Sequence, residues 1–282
     1  MRLIHVLLPL ALTAITLVIL TSIYPLSDDF RLENPYWNGM ESLSNRSLPV
    51  SMSDVPALDP RNYTVLIIGP STPFTSAEID EVKMFLSKGG RVVLADEFGT
   101  GNQLLEAIGA PLRLNGSLLL DPLLNLGVPQ LPLAYSEWGR IALNYATVLN
   151  ATCPGCRVIA NSSFFSYLDL NGNGRYDKDE PSGPFFVAIS LRIHGGELIV
   201  LSDSSLFINS MLNRESNSEL LRALIGQTRP AVVVDKWPFS PLSAAKSALS
   251  SAWRIVSSPE IKYSLALSIL LAAVMILRSR KH

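Results

Sequence analysis

The 282-residue sequence predicts an α/β fold: a Rossmann-like or flavodoxin-like parallel sheet with helices on both faces, a β-rich insertion, and a transmembrane helix at each end. Three observations lead there. Long apolar runs lie close to both ends of the chain. Continuous apolar stretches alternate with helical patterns between them. A middle region rich in proline disfavours long helices.

Leu3 to Ile23 carries no acidic residue and no Lys or Arg, and about 20 apolar residues cross a hydrocarbon core. The competing reading is a cleaved signal peptide, but Thr21-Ser-Ile-Tyr-Pro25 is a poor cleavage site. Residues 1–23 therefore read as an N-terminal transmembrane helix and 24–61 as an extracytoplasmic lead-in. The α/β domain occupies 62–235. Its clearest part starts with Thr64 to Gly69, an unbroken apolar run of the kind a strand covered on both faces requires. Thr75 and Glu78 have capping-box spacing. Ile79, Val82, Phe85 and Leu86 fall on one helical face, and Gly89 supplies a left-handed stop. Arg91 to Ala95 is the next buried strand and completes a β–α–β unit. Gly101 to Ile108 begins another short helix.

Residues 111–195 read as short strands and turns broken by Pro111, Pro122, Pro129, Pro132 and Pro154, and form the insertion. After it come a strand (Glu197 to Ser202), two helices (Ser204 to Leu212, Ser218 to Ile225) and a last strand (Ala231 to Asp235). Residues 236–262 suit an amphipathic stalk helix. Residues 263–277 form the second span, short but lengthened by snorkelling of Lys262 and Arg278. Residues 278–282 are a basic tail, which places the C-terminus in the cytoplasm.

Composition agrees with that topology. Charged residues make up 17% of the chain, well under the roughly 25% of soluble domains. Two spans with cytoplasmic ends describe a two-pass cell-membrane protein whose main domain is extracytoplasmic. The segment between the spans keeps 19 basic and 24 acidic residues, and this acidic balance excludes nucleic acid as a partner. Membrane lipid, through the two helices, and a membrane or extracytoplasmic protein are the partners implied. Asn45, Asn62, Asn115, Asn150 and Asn161 each head an Asn-x-Ser/Thr acceptor for glycosylation, and all five lie in that segment.

The sharpest local motif runs from Asp169 to Glu180 and fits a twelve-residue calcium loop. Asp169, Asn171 and Asn173 would supply side-chain oxygens, Arg175 its carbonyl, Asp177 a direct or water-mediated contact, and Glu180 both carboxylate oxygens to a hard Ca²⁺ ion. Gly174 permits the sharp turn. Extended flanks make this a structural calcium loop in a β setting. The other reading is a solvated Asx/Gly turn without metal. Cys153 and Cys156 bracket Pro-Gly and suit a local disulfide across a tight turn.

Catalytic groups are scarce. His194 is the only histidine between the two apolar ends, and it precedes Gly195-Gly196 as a turn residue would. Gly99-Thr-Gly101-Asn102 lacks the third glycine of a dinucleotide loop. Asp96 and Asp203 each follow an apolar strand directly, where ligands bind in open α/β sheets. Asp96, Asn102, Asp203, Ser204 and Asn209 could share one ligand-binding crevice there. Alternatively their side chains cap the helices and loops that follow.

Several stretches together resemble the DUF4350 family. They are Asn34-Pro-Tyr-Trp-Asn-Gly39, Val65 to Pro70, Glu78 to Phe85 followed by Gly89-Gly90-Arg91, Ala95 to Asn102, Ser166 to Phe185, and Ser202 to Asn209. The resemblance covers most of residues 30–235. It implies a membrane-anchored protein with a domain similar to the class I glutamine amidotransferase-like α/β fold, and no established activity. That fold's cysteine nucleophile has no counterpart near Asp96 or Asp203. The expected function is thus a membrane-anchored, extracytoplasmic, non-catalytic domain that binds a ligand or partner and carries a structural Ca²⁺ loop. The alternative is a hydrolase or transferase that uses the strand-end carboxylates.

Overall fold

Four apolar runs of the sequence become the buried centre of one sheet. The computed structural model describes residues 2–153, 155–256, 258–259 and 262–264. The helices are α1 (Arg2–Ile23), α2 (Glu41–Ser44), α3 (Ser76–Ser87), α4 (Gly101–Ala107), α5 (Asn217–Ile225) and α6 (Pro241–Val256). The strands are β1 (Leu48–Val50), β2 (Tyr63–Ile68), β3 (Arg91–Ala95), β4 (Leu112–Leu114), β5 (Leu118–Leu120), β6 (Leu133–Ser136) and β7 (Gly139–Ala142), followed by β8 (Leu149–Ala151), β9 (Arg157–Ser162), β10 (Tyr167–Asp169), β11 (Phe186–Ile193), β12 (Gly196–Leu201) and β13 (Arg229–Val233). Residues 27–238 form one unit; residues 1–26 and 239–282 form another, in which α1 contacts α6.

The main sheet has 11 strands and runs β1-β13-β2-β3-β12-β11-β9-β6-β7, with β8 and β4 joined through β11. From β1 to β12 every pairing is parallel. From β12 onward every pairing is antiparallel. β5 and β10 pair separately. Successive side chains of a strand point to opposite faces, so the central strands feed two cores. Leu66, Ile68, Val93, Ala95, Ile199, Leu201 and Val232 pack on one face with Leu220, Leu221 and Leu224 of α5. Val65, Ile67, Val92, Leu94, Leu198, Val200 and Val233 pack on the other with Val82, Phe85 and Leu86 of α3 and Leu104 and Leu105 of α4.

The fold class expected from sequence is corrected in two respects. First, the sheet is mixed. The expected insertion ends inside a hairpin: β11 and β12 are joined by His194-Gly195, with φ of 52° and 89°. Two residues with positive φ suit the tight turns that connect antiparallel strands, so the antiparallel strands enter the main sheet. Second, the flanking transmembrane helices are not found. Among the described residues no helix is long and apolar enough to cross a membrane. The apolar N-terminal run does form α1, but Pro9 lies within it and removes an amide from the ladder. Most of the second expected span, and the whole basic tail, lie outside the described residues. The two-pass membrane location, with cytoplasmic ends and an exported domain, falls with these helices.

Smaller differences follow from local physics. The expected lead-in contributes β1, which pairs with β13; Pro49 within it fits an edge strand, where one missing N–H is tolerated. The expected helix from Ser204 is a 3-10 turn, Ser204–Phe207.

One buried charge fixes the carboxyl end of β2. Lys236 is 3% exposed; its Nζ donates to the Pro73 carbonyl at 2.8 Å and to both oxygens of Glu78 at 3.2 Å, 4.4 Å above the Phe74 ring. Glu78 also closes the capping box of α3 through Thr75. The Lys236→Ala variant should lose ~3 kcal/mol of stability in urea unfolding, the cost of breaking a largely buried pair. A loss below ~1 kcal/mol would put this pair among solvent-screened ones.

Candidate functional site

The carboxyl ends of β3 and β12 lie level because Ala95 pairs with Leu201. Each strand is followed at once by polar residues, and the alternation of the strands sends these to both faces. Asp96 turns into its own loop. One of its oxygens accepts the Glu97 and Gly99 amides at 2.9 Å, the other the Gly101 amide at 2.7 Å. A Cβ on Gly99 or Gly101 would stand 2.7 or 2.6 Å from those oxygens. The glycines of Gly99-Thr-Gly101 thus let the backbone wrap a carboxylate that belongs to the protein itself.

The neighbouring acids are tied in the same way. Asp203, fully buried, accepts the Asn144 amide at 2.6 Å and the Ser205 amide at 2.8 Å. Glu97 accepts the Ser204 amide at 2.7 Å and the Ser204 hydroxyl at 2.9 Å. Burial pushes Asp203 well above the ordinary carboxylate range, and the Glu97 charge adds to it. Burial raises Glu97 as well, with a contribution from Asp96. Burial also raises Asp96, against three opposing amide hydrogen bonds.

Of the five residues expected to share a crevice, Asp203 and Ser204 meet at Glu97, while the Asp96 carboxylate turns into its own loop. The other two act elsewhere. Asn102 exchanges two hydrogen bonds with the Leu114 main chain, each 2.9 Å. Asn209 accepts the Ser42 amide and donates to the Asn34 and Tyr36 carbonyls. Glu97 was not singled out by sequence reasoning. Its signal was the Asp96-Glu97 tandem after a buried strand, which puts one acid on each face.

The Asp169–Glu180 loop closes on itself. Asp169 accepts the Asn173 and Gly174 amides, and Glu180 accepts the Leu170 and Asp177 amides. Both acids are buried. Asp177 receives the side-chain amides of Asn171 and Asn173 at 2.8 Å, and these bonds hold its carboxyl below the usual range. Arg175 donates its amide to the Asn173 side chain. Among the described residues no three acidic, histidine or cysteine side chains converge closely enough to hold a metal. Cys153 and Cys156 are joined in a disulfide. His194 donates from Nε2 to the Ile108 carbonyl at 2.9 Å. Of the glycosylation candidates, Asn45, Asn62 and Asn150 are exposed, while Asn115 and Asn161 are half-buried.

A cavity of about 380 Å³ opens at the opposite, amino ends of the parallel strands, beside Arg91 and Glu197. A second, of about 370 Å³, lies beside Arg46 and Arg222.

Fold and site together define a mixed-sheet domain with helices on both faces, its strand ends stitched by its own carboxylates. Residues 36–225 match the family described as domain of unknown function (DUF4350), and the chain belongs to that family. No curated protein matches it. Among solved structures it is similar to the mmIFT52 N-terminal domain, at 16% identity over 62% of this chain and 80% of that one, with a TM-score of 0.47. It is also similar to Gan42B, a GH42 β-galactosidase, at 16% identity over 72% of this chain and 28% of that one, with a TM-score of 0.41. A β-galactosidase from Bacillus circulans sp. alkalophilus follows at 11% identity, 56% of this chain, 22% of that one and a TM-score of 0.30. The chain thus spans under a third of each β-galactosidase, and likeness at this level carries no functional argument.

An acid whose pKa is raised by folding favours the folded chain when protonated. The Glu97–Asp203 pair therefore adds stability as pH falls from their raised values toward the ordinary carboxylate value, and withholds it at higher pH. Glu97→Gln keeps both bonds to Ser204, with its new amide donating to the hydroxyl, and removes the charge facing Asp203. Its melting temperature at neutral pH should rise by a few degrees, at ~2–4 °C per kcal/mol. Its gain on mild acidification should be smaller than that of the parent. Parallel pH profiles of the two proteins would refute this reading.

Proposed function

We propose that this protein is a non-catalytic domain that binds a ligand or partner. One observation carries the reading: the carboxylates best placed for chemistry, Asp96, Glu97 and Asp203, spend both oxygens on hydrogen bonds inside the protein. A general base must be placed to reach a substrate proton, and these carboxylates are instead oriented toward donors of their own chain. The parallel half of the sheet, with helices on both faces, supports kinship with the glutamine amidotransferase-like folds. The two cysteines of the sequence are bonded to each other, so a thiolate nucleophile of that kind has no candidate here.

A hydrolase or transferase is the second reading, and two observations favour it. Perturbed acids cluster at functional sites. The buried hydroxyl of Ser202, one residue beyond the Ala95–Leu201 pair, has no hydrogen-bond partner among the described residues. Stability separates the readings. In Asp96→Asn a side-chain N–H would replace an acceptor that faces backbone donors, so a structural Asp96 predicts a loss of ~1–3 kcal/mol. Residues kept for activity often cost stability, and their replacement raises it. A more stable Asp96→Asn protein would therefore favour the enzyme.

The Asp169–Glu180 loop is proposed to hold Ca²⁺ as a structural brace. The donor types and spacing support this, as does the inward burial of Asp169 and Glu180. Without the ion, two Asn amides donate to the Asp177 carboxylate; with it, those amides would turn their oxygens inward. Added Ca²⁺ should raise the melting temperature of the full chain by mass action, and Asp169→Ala with Glu180→Ala should abolish the rise. An unchanged melt in the parent protein would leave a metal-free turn.

A further inference from the structure

The register of three adjacent strands sets a charged row at the amino end of the sheet. Glu197 of β12 pairs with Arg91 of β3 on one side and with Arg192 of β11 on the other. Paired residues on neighbouring strands share a face, so the row reads Arg–Glu–Arg. It lines the cavity of about 380 Å³, together with Gln227, Gly226 and Thr228. That volume lies within the ~300–1,000 Å³ of small-molecule sites.

The acceptors in this row are spent. Glu197 Oε2 takes Arg91 Nε at 2.7 Å, and Oε1 takes the Ser190 hydroxyl at 2.6 Å. Burial opposes ionisation of Glu197, yet the Ser190 bond and the charges of Arg91 and Arg192 hold its carboxyl below the ordinary value. It is therefore a charged acceptor with both oxygens already hydrogen-bonded inside the protein. Thr228 donates its hydroxyl to the Ile225 carbonyl and shares its oxygen with Thr64.

The donors are not spent. Arg91 uses Nε on Glu197 and Nη1 on the Leu224 carbonyl at 3.0 Å. Its Nη2, the exposed Arg192 guanidinium and the exposed Gln227 amide have no hydrogen-bond partner among the described residues. Gly226 keeps the space open: its φ is +61°, and a Cβ there would come within 3.3 Å of Arg91 Nη1. A pocket with net charge +1 and surplus guanidinium donors matches an oxyanion, for which the planar fork of Arg is well shaped.

We propose that this cavity binds a small molecule through a carboxylate or phosphate group held by Arg91 and Arg192. The proposal rests on the binding-domain reading and names a ligand class for it. The test titrates the full chain with inorganic phosphate and, separately, with acetate, at ionic strength matched by chloride, and follows melting temperature and calorimetric heat. Arg192→Ala removes an exposed side chain without breaking the Arg91–Glu197 pair, so its anion-free melt should fall only slightly, by the loss of the Arg192 charge beside Glu197. Arg214→Ala removes an equal charge from a different exposed position.

Saturable binding of either anion, weakened about tenfold or more in Arg192→Ala and unchanged in Arg214→Ala, supports the proposal. Which anion binds tells phosphate from carboxylate. Equal weakening in both variants, or no saturable effect of either anion, overturns it. The Asp96→Asn measurement is independent, so this site can fail while the non-catalytic reading stands.

Discussion

The parallel pairing of β3 with β12 is the constraint on which both ends of this molecule depend. One register places Ala95 beside Leu201 and, four residues earlier, Arg91 beside Glu197. A slip of one residue would turn every side chain of a strand to the opposite face. It would expose Val93 and Leu94 to the wrong cores and separate the ion pair. It would also pull Glu97 and Asp203 out of level. The hydrophobic alternation of two short strands thus fixes an acidic cluster at one end and a basic row at the other, roughly a strand length apart.

The acidic end illustrates how a protein can fill its own anion site. Successive amides after a strand commonly cradle phosphate. Here Gly99, Gly101 and the Glu97 amide cradle Asp96. A similar logic governs Asp203, which caps the 3-10 turn at Ser204. Charges buried with several amide donors are tolerable, but Glu97 and Asp203 face each other, and their mutual repulsion remains as a cost. The loops gain definition from these bonds and lose the open crevice that strand ends often provide.

Local pattern was legible in the sequence wherever one segment determined its own structure. The capping box of Thr75 and Glu78 and the helical face of Val82, Phe85 and Leu86 appear where spacing put them. The buried runs Thr64–Ile68 and Arg91–Ala95 pair in parallel around that helix. What needed long-range information was lost. Phe186 to Ile193 has no sharp boundary, so the hairpin at His194-Gly195 was divided between two regions. Leu48-Pro-Val50 is too short to announce a strand before β13 is there to receive it. Asn102 and Asn209 looked like ligand contacts because nothing in sequence reveals that Leu114 and the segment from Asn34 to Ser42 would claim them. Arg91 and Arg192 lie 101 positions apart, and only register makes them neighbours.

β1 has a consequence for how the chain can be cut. It covers the outer side of β13, which belongs to the far end of the polypeptide. A fragment begun at Asn62, where apolar patterning suggests a tidy boundary, would strip that cover. The backbone groups of β13 that face β1, alternating along the strand, would then be bared as a template for cross-molecular pairing. Such truncations should precipitate, while fragments that retain the residues from Ser27 onward stay dispersed.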